Sequence, residues 1–155
     1  MVMRTGTFDH REAINYMSYM SKIYRFPDST KDFSLLLSRI IAGWRLVAGT
    51  WPFVMQKESI GNVQDYFIKM RVPAAEISAY ISVYAQFISG LLFIIGLWMR
   101  PAALAMLVNF IMAIAIVHLH DKIERSFQAW ALLAFAILFL FTGAGKISID
   151  QRISK

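Results

Sequence analysis

The chain is 155 residues long, enough for one domain, and 57% of it is hydrophobic with a mean hydropathy of +0.51, more apolar surface than a soluble core absorbs. It has no cysteine, which excludes disulfides, thiolate metal sites and iron–sulfur ligation by this chain, so a redox role needs a borrowed cofactor. The net charge of +6 lies in short segments between apolar spans, the pattern of a topology signal rather than of a nucleic-acid surface.

From Arg11 to Phe26, Ala13, Tyr16, Met17, Met20 and Tyr24 recur at helical spacing against Arg11, Lys22 and Arg25, which predicts an amphipathic helix on the inner membrane surface. No secretory signal peptide is expected, because the first long apolar run begins near Phe33 and has no small-residue cleavage site after it. Four stretches are long enough to cross about 30 Å of hydrocarbon, which takes about 20 helical residues: Phe33 to Met55, Ala75 to Met99, Pro101 to Leu119 and Phe127 to Gly145. The second and third are joined so closely around Trp98 to Pro101 that they form a helical hairpin, with Pro101 suited to a first helical turn.

The longer first connection, Gln56 to Ala74, sets Ile60, Val63, Phe67 and Met70 on one helical face before Pro73, which predicts a short helix on the outer surface. Outside the spans, nine Lys and Arg fall on the side of the N-terminus, Arg100 and the C-terminus, against five in the two opposite connections. That bias places both ends in the cytoplasm. Trp51, Trp98 and Trp130 fall near span ends as interfacial anchors do, whereas Trp44 does not. The expected architecture is an all-α integral membrane four-helix bundle over residues 33–150, in the cytoplasmic (inner) membrane. A cytoplasmic extension (1–32) precedes it and a cytoplasmic tail (151–155) follows, and one interfacial amphipathic helix belongs to each surface.

Ionisable residues inside spans are costly and need a reason. Arg39, about two turns into the first span, can snorkel to the headgroups on its long stem. Arg45 lies roughly 16–18 Å from the inner edge by helical rise, Gln86 about 18 Å and Asn109 about 10 Å. The three are expected to form an internal polar cluster, with Ser38, Ser82, Tyr84, Ser89 or Thr50 as further partners, and the plainer reading of Gln86 and Asn109 is interhelical glue. A guanidinium with no carboxylate at its depth calls for an anionic or carbonyl-bearing ligand, such as a quinone or a lipid headgroup.

His118, His120, Asp121 and Glu124 gather at the outer end of the third span. Residues two apart point to different sides of a helix, so a metal site is not expected; the plainer reading is a solvated helix end, and the alternative is that His118 reaches inward and handles a proton. The closing Gly143, Gly145, Lys146, Ser148 and Asp150 suit a helix C-terminus and a turn.

Several of these pieces together resemble the DoxX/DoxD family of small four-helix bacterial and archaeal membrane proteins. They are the start of the first helix around Arg39, Gly90 to Leu97 in the second, Arg100 leading into an Ala-rich third, His118, and the closing Gly143, Gly145, Ser148, Ile149 and Asp150. Many members have a glutamate about where this chain has Gln86, and Trp44 and Arg45 are also unusual there. The resemblance implies the fold and, from some relatives, a small subunit of a thiosulfate:quinone oxidoreductase; other relatives are linked to thiol stress. On that reading Arg45, Gln86, Asn109, Arg39, Trp44 and His118 are the candidate ligand-binding residues, no cofactor is held covalently, and quinone is the candidate cofactor. The expected partners are membrane lipid and other membrane or peripheral subunits, or a homo-oligomer. The alternative is a non-enzymatic scaffold that binds lipid or partner proteins; a transporter would need a path that four helices leave little room for.

Overall fold

The computed structural model describes residues 11, 14–15, 17–18, 28–116 and 123–153. The chain divides into two compact units, Met1–Lys31 and Asp32–Lys155. In the first, Arg11, Ile14, Asn15, Met17 and Ser18 are helical and exposed; most of the amphipathic helix expected from Arg11 to Phe26 lies outside the described residues.

Among the described residues six helices follow: α1 Asp28–Met55, α2 Lys57–Lys69, α3 Ala75–Ile95, α4 Met99–Ile116, α5 Ile123–Thr142 and a short α6 Ile149–Ile153. Of the described residues, three segments, Ser29–Met55, Ala75–Ile95 and Met99–Ile116, are long and apolar enough to cross a membrane, and Ser126–Thr142 is a shorter apolar helix. The fold is all-α, as the hydropathy pattern predicts. The helix in the first connection is present as α2.

Helix ends depart from the sequence reading in ways that trace to single residues. α3 stops at Ile95, four residues early, because Gly96 takes φ +69° and the N–H groups of Gly96 and Leu97 both return to Leu92 O at 2.8 and 3.1 Å. Glycine adopts that left-handed backbone without a Cβ penalty. α2 closes the same way with a costlier residue, since Arg71 sits at φ +55° while Arg71 N reaches Ile68 O and Val72 N reaches Phe67 O, both at 3.0 Å. α4 begins at Met99 rather than at Pro101, and its cap comes from far away: the Asp150 carboxylate accepts Trp98 N at 2.8 Å and Met99 N at 3.1 Å.

The core is built from small and large residues in alternation. α4 and α5 pack closely through Ala102, Ala103, Met106 and Phe110 against Ala129, Leu132, Ala136 and Phe139, with Phe93 edge-on to Phe139 at 5.0 Å. α1 and α3 cross backbone to backbone at Gly43 and Gly90, where a Cβ on Gly43 would lie 2.6 Å from Gly90 O. Small residues at such crossings let membrane helices gain dispersion contact that lipid would otherwise supply. On α1 the inward stripe is Arg39, Ala42, Gly43, Leu46 and Thr50, a helical run of i, i+3, i+4, i+7 and i+11. Arg45 and Trp44 fall off it.

Candidate functional site

The inward stripe of α1 explains the first departure from expectation. Arg39 does not snorkel to headgroups: it is 1% exposed. Its Nε donates to Phe93 O at 3.1 Å, Nη1 to Ile147 O at 3.0 Å and to Ala144 O, and Nη2 approaches Ile94 O at 3.5 Å. Phe93 and Ile94 are in the last turn of α3, whose final carbonyls have no helical donors. The guanidinium therefore closes one helix end and ties it to the turn after α5. Gly96 is needed beside it, because a Cβ there would collide with the guanidinium. Nearby, Asp32 accepts Lys146 N at 3.2 Å, and Ser148 Oγ donates to Gly145 O at 2.7 Å.

Arg45 is the second departure. It is exposed, and its guanidinium donates to Gln128 Oε1 on α5. Nη1 lies 3.2 Å from the point a Cβ on Gly49 would occupy, so the charged head sits one turn beyond its own Cα, at the level of Gly49. Gln128 is two residues from Ser126, where the apolar part of α5 begins. The head thus reaches toward a span end instead of the midplane cluster. Trp44, beside it, is exposed at 66% and lines neither of the clefts described below.

Gln86 and Asn109 do meet, through a serine. Gln86 Nε2 donates to Ser82 Oγ at 3.1 Å, and Ser82 Oγ donates to Asn109 Oδ1 at 2.8 Å. This relay bridges α3 and α4. Asn109 Nδ2 donates to no described residue, so an amide donor is available beside the relay.

Ser82 and Asn109 also face a cleft of about 590 Å³ between α3 and α4. Its walls are Ile81 and Ala85 of α3 and Leu104, Ala105, Val108 and Met112 of α4, and Phe67 and Val72 cover one end. The α4 lining runs from Pro101 to Ile116, about 22 Å at the helical rise. It is a long apolar groove with its hydrogen-bonding groups along the middle.

With the geometry set out, the comparisons with known proteins add one finding. The DoxX family model matches residues 34–119, more than half of the chain. The chain belongs to the DoxX family. No curated protein and no solved structure matches it. The match takes in α1 from residue 34 and all of α2, α3 and α4, and with them Arg39, the Ser82–Asn109 relay and the groove; the turn after α5 that receives Arg39 lies beyond it. Membership together with the apolar helices makes this DoxX chain a membrane protein.

Of the residues singled out by sequence, Gln86 and Asn109 are brought together, Arg39 and Arg45 stand apart from them and from each other, and His118, like His120 and Asp121, lies outside the described residues. Two contributors went unforeseen. Gln128 had a signal, as a lone amide among apolar residues on α5. The capping role of Asp150 toward α4 had none, because its partners lie about fifty positions away.

Proposed function

We propose that this DoxX chain is the membrane subunit of a quinone-linked oxidoreductase and that it takes the quinone in the groove between α3 and α4. The observation that carries the reading is an apolar groove about 22 Å long with an amide donor partway along it, Asn109 Nδ2, that donates to no described residue. A prenyl chain matches the apolar walls, and a ring carbonyl matches the amide. Ligand sites of this kind combine mostly apolar lining with a few placed polar groups. Gln86 and Ser82 hold Asn109 by its carbonyl and so aim its amino group. The redox centre belongs to another polypeptide, since a cysteine-free chain offers no thiol relay. Arg45 takes no part in this reading. The chain lies in the inner membrane with both termini cytoplasmic, supported by the nine-to-five bias of Lys and Arg.

The test is purification in mild detergent with added ubiquinone or menaquinone, followed by mass spectrometry of the retained quinone. Wild type should retain it. Asn109→Leu should retain about fivefold to tenfold less, the value of one buried hydrogen bond, and Arg45→Leu should match wild type. Equal retention by Asn109→Leu, or none by a folded wild type, would refute the reading.

A further inference from the structure

At the Arg39 end of the bundle a second cleft, of about 580 Å³, opens between the start of α4 and the turn after α5. Four charged side chains line it, Asp32, Arg100, Lys146 and Asp150. The two carboxylates are already engaged by the protein. Asp150 holds the first N–H groups of α4, and Asp32 accepts Lys146 N while standing 3.7 Å from Lys146 Nζ. The cations are less committed. Arg100 folds over the end of α5, with Nε 3.7 Å from the position of a Cβ on Gly143, and makes no hydrogen bond or ion pair with any described residue. The Lys146 side chain is 65% exposed, and an ammonium with one loose carboxylate neighbour keeps donors to spare.

The position of the cleft along the helices narrows what could fill it. Trp98 lines this end and is exposed at 68%, the placement of an indole at a membrane boundary. The apolar part of α4 starts right after Arg100. A guanidinium here stands where hydrocarbon ends and lipid phosphates begin, and its planar fork suits two oxygens of one phosphate.

We infer that this cleft binds a phosphate group, with Arg100 as its bidentate anchor and Lys146 as a second cation, and that a lipid headgroup supplies the phosphate. The inference uses none of the residues assigned to quinone contact and stands whether or not the groove holds a quinone.

Native mass spectrometry of the full chain in non-ionic detergent tests it, with phosphatidylglycerol, diacylglycerol and inorganic phosphate as probes. Wild type should retain phosphatidylglycerol and not diacylglycerol. Arg100→Gln and Lys146→Gln should each lower retention about fivefold, the value of one cation near an anionic lipid surface. Arg100→Lys should fall between, having kept the charge and lost the fork. Arg71→Gln, which removes an exposed cation outside the cleft, should change nothing. If millimolar inorganic phosphate displaces the lipid, the site reads the phosphate alone; if it does not, the acyl chains contribute, and both results agree with phosphate recognition. Diacylglycerol retained as well as phosphatidylglycerol would overturn the inference. So would a doubly substituted Arg100→Gln, Lys146→Gln chain that unfolds like wild type and still holds the lipid equally well.

Discussion

A guanidinium inside a membrane bundle is tolerable when most of its donors are consumed, and Arg39 gives four of its five to main-chain carbonyls. Four carbonyl oxygens from two segments converge on it, and without it those of Phe93 and Ala144 would lose a buried donor. Arg39→Met removes the donors while keeping a stem of similar length. Leaving a buried acceptor unpaired costs about 1–3 kcal/mol, so the variant should lose about 3 kcal/mol or more of stability. Thermal unfolding in detergent measures this. Arg39→Lys should lose less, because a single ammonium can serve some of the four acceptors but lacks the fork that reaches both segments. The same residue shows why depth counted along a helix misleads. Arg39 and Arg45 were placed by the position of Cα, yet their functional atoms are several ångströms away, and the direction of the stem decides the environment. Arg39 lies on the stripe with Ala42, Gly43 and Leu46, and the periodicity of that stripe was available in the sequence. What hid it was the length of the Arg39 stem, which puts the headgroups within reach of a residue about two turns into the span.

At the scale of elements, the long apolar helices were legible because the bilayer imposes a length and a composition on them. Their ends were less so. An α-helix leaves its first N–H groups without partners, and sequence reading looks for a nearby Ser, Thr, Asn or Asp to supply the cap. For α4 the residue before Met99 is Trp98, at φ +49°, and the acceptor is Asp150, beyond α5. That contact makes the C-terminal turn part of the α3–α4 hairpin, reinforced by Asp150 N donating to Gly96 O at 3.1 Å. Asp150→Ala should therefore cost about 1–2 kcal/mol, in the range of a lost N-cap, and should speed hydrogen exchange at Trp98 and Met99 relative to the middle of α4. Asp150→Asn keeps one acceptor and should recover part of both effects. Unchanged exchange at those two amides in the alanine variant would show that the cap is dispensable.

The whole molecule joins two polar layers to one apolar groove. The cage around Arg39 ties the middle of α1 to the last turn of α3 and the turn after α5, and the Ser82 relay links α3 to α4 farther along, so the groove between them is held by groups lying outside most of its wall. Half of the relay was legible, since Gln86 and Asn109 are strong hydrogen-bonding side chains at comparable depth on neighbouring helices. The groove itself was not, because a groove is a relation between two helix surfaces, and neither α3 nor α4 announces by its own sequence where side chains will leave space. This gives a test of the site by shape rather than by hydrogen bonding. Ala105 is exposed and lines the groove one turn from Asn109, so Ala105→Trp puts an indole into the space while leaving the residues of the relay and of the Arg39 cage unsubstituted. An exposed substitution away from buried features should stay within about 0.5 kcal/mol of wild type. Quinone retention, by contrast, should fall about tenfold, because the ring and the prenyl chain would compete with the indole for the same volume. Retention that survives in this variant but fails in Asn109→Leu would assign the amide a role outside the groove, whereas loss in both would place head and tail of the ligand in one channel.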